Sequence, residues 1–191
     1  MKSTSKDVRS ALLMALFLVA ATSLVAVAST LVGGLLFPSQ ATGSLVYRDG
    51  RVIGSALLGQ RYDGDRFFHG RPALVAPLHA TGSNLAPTNP ALRARILADA
   101  EHLARREGIA PTAIPPDLLA ASGSGVDPHI TPAAAAIQIA RVARARGLPP
   151  AAVQAAVQRH TEGPWLGLFG HARVDVLGLN LELERGPSPT D

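Results

Sequence analysis

Residues 11–37 read ALLMALFLVAATSLVAVASTLVGGLLF, and no charged side chain occurs between Ser10 and Tyr47. A helix needs about 20 apolar residues to cross the roughly 30 Å hydrocarbon core of a bilayer. This run is longer, so it can span with some tilt. Gly33 and Gly34 are tolerable near its end because a helix in lipid satisfies its own backbone, and Pro38 stops it. Lys2, Lys6 and Arg9 stand immediately before the run, whereas Arg48 and Arg51 lie farther from its other end. The positive-inside rule then puts residues 1–10 in the cytoplasm, 11–37 in the membrane and 38–191 outside. A cleaved signal peptide is the alternative, with Ala11 to Val25 as its apolar region and Ala26-Val27-Ala28 as the A-x-A site. The result would be a freely exported binding protein. The apolar run continues well past Ala28, which favours an anchor.

The exported part of the 191-residue chain is long enough for one domain with a real core. Cysteine is absent, which excludes disulfides, thiolate metal sites and cysteine nucleophiles. Half of the formal charge of +4 comes from Lys2, Lys6 and Arg9 against Asp7. The later arginines are scattered among acids and the few aromatics form no stacking platform, so nucleic acid is not an expected partner.

Secondary-structure signals predict an α+β domain with one sheet and two or three helices. Ser44 to Tyr47 and Arg51 to Leu58, joined by Arg48-Asp49-Gly50, read as a hairpin, and a third short strand is expected around Arg66 to His69. Asn89-Pro90 opens a helix with Leu92, Ile96 and Leu103 on one stripe and Gly108 at its end. Thr131-Pro132 caps another running to Arg146 before Gly147, and a shorter helix covers Pro150 to Arg159. From Arg173 to Glu184, four leucines alternate with Gly178, Asn180, Glu182 and Glu184, a period of two that predicts a strand. Asp175 could instead cap a terminal helix there.

Chemistry is sparse. Ser124, Asp127 and His129 share one loop, but adjacency is not triad geometry, and Gly123-Ser124-Gly125 falls short of the G-x-S-x-G elbow. A glycine turn in which Asp127 accepts backbone amides is the simpler expectation. No G-x-x-x-x-G-K-[ST] phosphate loop occurs, and the six histidines show no paired spacing on a helix, so no metal ligands are assigned. Neither are catalytic residues. Gln138 and Arg141 share a helix face with Ile139 and Val142 opposite; that face is expected to be solvated, the alternative being that Gln138 contacts a partner or a nucleotide. The long loops Gly70 to Asn89 and Ser122 to Thr131 are the expected interaction surface. They offer Gly70, Arg71, Pro72, Ser83, Asn84, Asn89, Ser122, Ser124, Asp127 and His129, with His69 beside them, as contact candidates.

These pieces stand in a familiar order: the apolar span, then GSLV at 43–46, GSALLGQ at 54–60, FHGRP at 68–72 and GSNLAPTNP at 82–90. ASGSGVDPHITPAAA at 121–135, RVARARGL at 141–148, HTEG at 160–163 and VDVLGLNLELE at 174–184 follow. From Pro38 onward the chain closely resembles the C subunit of the bacterial potassium-transporting Kdp ATPase. The resemblance implies a single-pass inner-membrane subunit without catalytic residues of its own. Its implied partners are a channel-like potassium-translocating subunit, a P-type ATPase subunit and a small membrane peptide. It also implies a catalytic chaperone that raises the ATPase subunit's affinity for ATP, with Gln138 at the position connected with nucleotide contact. ATP and potassium would be handled by the complex, with no cofactor firmly bound to this chain. Ala140 stands where a proline after that glutamine is common in the family.

Overall fold

The computed structural model describes residues 3–72 and 82–186. The chain divides into two compact units, one up to Ile53 and the other from Gly54.

In the first unit, α1 (Ser3–Leu36) is one uninterrupted helix of 34 residues. Its stretch from Ser5 to Leu36 is long and apolar enough to cross a membrane, and the most apolar part is wholly unburied by protein. Leu16, Phe17, Leu18 and Val19, four consecutive positions that point to different sides of it, are 55–66% exposed, as suits a helix surrounded by lipid. Three of its hydroxyls are internally satisfied: Thr22 donates to Leu18 O (2.8 Å), Ser29 to Val25 O (2.7 Å) and Thr30 to Ala26 O (2.9 Å). That back-bonding makes polar side chains tolerable at membrane depth. A single turn, α2 (Pro38–Ala41), follows. The hairpin forms as expected from β1 (Leu45–Arg48) and β2 (Arg51–Ser55). Asp49 and Gly50 take φ of 50° and 74°, the two positive values that a type I′ turn requires.

In the second unit, α3 (Pro90–Glu107) starts where Asn89 Oδ1 accepts the Ala91 N–H at 2.9 Å and stops at Gly108, φ 70°. Two short 3₁₀ turns (Pro111–Ala113 and Pro116–Leu118) lead to β3 (His129–Ile130), inside what reads as pure loop. Thr131 Oγ1 then caps α4 (Pro132–Ala136), a contribution of about 1 kcal/mol. The helix expected to run on to Arg146 is interrupted. The Gln138 N–H bonds back to Ala135 O at 3.0 Å, a tightened turn, and α5 (Ile139–Arg146) begins after it. Next come α6 (Pro150–Arg159), β4 (Thr161–Glu162), β5 (Arg173–Asp175) and α7 (Val176–Arg185). β5 lies between β3 and β4, antiparallel to both, with Val174 opposite Ile130 and Thr161. Phe68, Val142, Val153, Val174 and Leu179 are fully buried at the centre of the core.

Two strand expectations are corrected. The 173–184 segment is extended only to Asp175. Val176, Leu179, Asn180 and Leu183 are buried at helical spacing, and Asp175 holds the N-cap position. Residues 66–69 form no strand, because side chains rather than a neighbouring strand satisfy their backbone. The hairpin and the three-stranded sheet are separate, so the expected single sheet is two small ones.

Candidate functional site

Residues 65–69 run from the exposed Asp65 and Arg66 into the buried Phe68, and their backbone finds its hydrogen-bond partners on the helices around them. Arg141 Nη1 donates to Asp65 O (2.5 Å) and Phe67 O (2.9 Å), and Arg146 Nε donates to Arg66 O (2.6 Å). Asn180 closes a two-way clamp on Phe68, Oδ1 accepting its N–H at 2.8 Å and Nδ2 donating to its carbonyl at 2.9 Å. Gln138 repeats the clamp one residue on, with His69 N–H to Oε1 at 2.8 Å and Nε2 to His69 O at 3.0 Å. Two side-chain amides thus stand in for a partner strand.

The expected solvated face of Gln138 and Arg141 is therefore buried, at 1% and 6% exposure. Oε1 of Gln138 also accepts from Arg141 Nη2 (2.8 Å), and its Nε2 also donates to Ala134 O (3.2 Å). Two donors and two acceptor sites are all an amide side chain has. Arg141 is held by Glu107, Nε lying 2.9 and 3.0 Å from the carboxylate oxygens, and the Glu107 side chain is 1% exposed. Burial pulls the Arg141 pKa down, opposed chiefly by the Glu107 charge.

Locked this way, the segment presents residues 69–72 to a cleft of about 520 Å³, walled also by 58–64 and 125–128. Arg71 bridges the walls. Its Nη1 donates to Asp127 Oδ2 (2.9 Å), its Nη2 to Ala120 O and Ala121 O (3.3 Å each), and Asp127 Oδ1 accepts the His129 N–H (3.0 Å). Gly59 packs so closely that a Cβ there would run into the Asp127 carbonyl oxygen. Its N–H donates to Val126 O at 2.7 Å.

Of the expected contact residues, His69, Gly70, Arg71, Pro72, Ser122 and Asp127 line this cleft. Ser83, Asn84, Asn89, Ser124 and His129 are not among its walls. Asn89 is the α3 cap, and Asn84 sits at φ 50°. Gly82 meets the other loop, a Cβ there coming to 3.0 Å from Gly123 O. Part of the 70–89 loop, residues 73–81, lies outside the described residues. Ser124 Oγ engages Ser122 Oγ (3.3 Å) and the Val126 N–H (3.3 Å) rather than His129, so the turn geometry is what forms. Asn180, Arg106 and Glu107 are site residues that pattern reading passes over. The available signal was Asn180 falling on the helical face of Val176 and Leu183.

Arg106 Nη2 reaches His69 Nε2 at 2.7 Å, Gly64 O at 3.0 Å and Asp65 Oδ1 at 3.1 Å. Arginine has no acceptor, so the Arg106 contact uses Nε2 as an acceptor, whereas the Gly64 carbonyl oxygen, also 3.0 Å from Nε2, calls for a proton there; the two contacts compete for the ring tautomer. Burial, then the Arg106 charge, lowers the His69 pKa to about 4. Burial likewise raises that of Tyr62, in the same cleft, to about 12, with Glu184 and Asp175 adding. A histidine held below its unfolded pKa takes up a proton first in the unfolded chain, so stability falls as pH drops. The thermal midpoint of the detergent-solubilised chain is expected to fall between pH 6.5 and 4. His69→Asn should flatten that slope; an unchanged slope would assign it to other groups.

Residues 8–185 match the profile of the family described as KdpC, K+-transporting ATPase, c chain. The chain is 54% identical over 163 residues to the potassium-transporting ATPase KdpC subunit of Sorangium cellulosum, covering 82% of this chain and 85% of that one. It is 51% identical over 183 residues to that of Xanthomonas oryzae pv. oryzae, covering 93% and 86%. To that of Bradyrhizobium diazoefficiens it is 44% identical over 197 residues, covering 94% and 97%.

Proposed function

Because the chain belongs to the KdpC family, as a subunit of a K+-transporting ATPase complex, we propose that it is the non-catalytic accessory subunit. Its C-terminal domain docks through the Arg71–Asp127 cleft on the partner subunits, close to the external potassium entrance. The partners are a channel-like potassium-translocating subunit, a P-type ATPase subunit and a small membrane peptide. The observation that carries this is the bracing of residues 65–69 by buried Gln138, Asn180 and Arg141, which holds the cleft wall in one shape. A rigid, partly polar cleft loses little entropy on docking a protein surface.

The chain aids assembly and raises the ATPase subunit's affinity for ATP by long-range coupling. Such coupling is a free energy shared between sites and needs no direct contact. The complete engagement of the Gln138 amide supports this over a nucleotide contact, and it makes Gln138 a residue that positions His69. The cytoplasmic amino end and exported domain follow from the basic residues before α1. The continuity of α1 through Ala26–Ala28 to Leu36 supports a retained anchor.

Arg71→Ala tests the docking surface. The Arg71 side chain is 25% exposed, so its removal should shift the thermal midpoint by only a few degrees, in line with about 1 kcal/mol. Recovery of the complex in detergent should nevertheless fall roughly tenfold, equivalent to about 1.4 kcal/mol of binding. Normal copurification together with normal potassium-stimulated ATPase activity would refute the cleft as the docking site.

A further inference from the structure

Between β4 and β5 the sequence Gly163-Pro-Trp-Leu-Gly-Leu-Phe-Gly170 contains no charged residue. Its large apolar side chains point away from the core: Trp165 is 68% exposed, Leu166 70%, Leu168 80% and Phe169 61%. The loop is nonetheless well formed. Trp165 N–H donates to Phe169 O (2.8 Å), Phe169 N–H to Trp165 O (3.0 Å), and Gly167 N–H to Pro164 O (3.0 Å). The Trp165 and Phe169 rings lie 5.8 Å apart. Leu166 is held at φ 53°, a conformation that a leucine rarely adopts. A strained backbone presenting four large apolar groups to water calls for something to cover them.

We propose that this loop is a second membrane contact, a knob that inserts into the interfacial layer of a lipid bilayer. The choice of occupant rests on charge, area and connectivity. The flanking carboxylates are paired on the domain itself, Glu162 with Arg173 at 2.7 Å and Glu182 with Arg159. Charges paired in this way favour neither a cationic nor an anionic partner. A second copy is disfavoured by size. Large side chains bury about 150–250 Å² each, so four partly exposed ones offer on the order of 500 Å². A stable interface buries about 800 Å² per partner. Trp, Phe and Leu are the residues that interfacial anchors use. The same chain carries α1, so its own tether keeps the knob at high effective concentration near a bilayer.

Trp165 is the sole tryptophan of the chain, which makes it the reporter. The full chain, and separately the assembled complex, would be reconstituted into phosphatidylcholine vesicles carrying lipids brominated near the headgroup end of the acyl chain. For a side chain about 5–10 Å into the boundary, at least roughly half of the Trp165 emission should be quenched in the full chain, with little quenching by aqueous iodide. Leu166→Ser with Leu168→Ser, which keeps the reporter and the glycines, should lose the lipid quenching several-fold and regain iodide quenching. Its thermal midpoint, unchanged or raised, reports that the fold is intact. Iodide quenching without lipid quenching in both preparations would overturn the proposal. So would protection from both quenchers confined to the assembled complex, since that places a protein partner on the knob. The readout does not depend on the cleft. Loss of complex recovery with Arg71→Ala and loss of lipid quenching with the loop variant can therefore fail separately.

Discussion

Replacing Arg141 with alanine is expected to lower the unfolding free energy of the C-terminal domain by about 3–5 kcal/mol, the largest effect of any substitution considered for this chain. The guanidinium lies between the Glu107 carboxylate, the Gln138 carbonyl oxygen and the backbone oxygens of Asp65 and Phe67. Its removal leaves Glu107, with a side chain 1% exposed, as a buried charge without its partner. Breaking such a pair costs far more than the pair contributes in the first place. Denaturant unfolding of the full chain in detergent measures it. Arg141→Lys should fall in between, because a point charge cannot reproduce the planar fork that serves several acceptors at once. Removing both charges, with Arg141→Met and Glu107→Leu, should cost less than Arg141→Ala alone, since no orphaned charge remains. A loss under about 1 kcal/mol for Arg141→Ala would mean that Glu107 gains access to water and that the lock is weaker than its geometry implies.

An all-or-none pattern is expected from labelling the two ends of the chain. Cysteine is absent, so Arg105→Cys and Lys6→Cys each introduce a single reactive site. The Arg105 side chain is 72% exposed and Lys6 is exposed as well. A membrane-impermeant maleimide applied to intact spheroplasts should label the Arg105→Cys chain nearly completely. The Lys6→Cys chain should remain unlabelled until lysis. The reason is electrostatic and hydrophobic together: basic residues stay on the cytoplasmic side of a span while the following domain is translocated. The reverse pattern would put the domain in the cytoplasm, on the same side as the nucleotide. Direct nucleotide contact would then require Gln138 to give up its four hydrogen bonds, and Gln138→Ala should change ATP affinity without altering assembly. Under the expected pattern Gln138→Ala acts only by freeing His69 and the cleft wall.

What the sequence by itself determined is what adjacent residues decide. An uncharged apolar run sets α1, and Asp49-Gly50 sets a turn needing two positive φ values. Asn89-Pro90 with Gly108, and Thr131-Pro132 with Gly147, set helix ends through caps that act within a few positions. Family membership was equally legible, because the motifs keep their order along the chain. The tertiary structure decided the segments whose hydrogen-bond partners lie far away in sequence. Residues 66–69 have a strand-like composition, but Asn180 and Gln138 reach them across 112 and 69 positions and take the place of a neighbouring strand. In the last element the alternation of leucines favoured a strand. Burial of Val176, Asn180 and Leu183 on one face, with the Asn180 amide clamped to Phe68, made it a helix. The buried Gln138–Arg141–Glu107 network was invisible for the same reason. A polar side chain with a partner in the core and one facing water have the same local sequence, and only the packed structure supplies the partner.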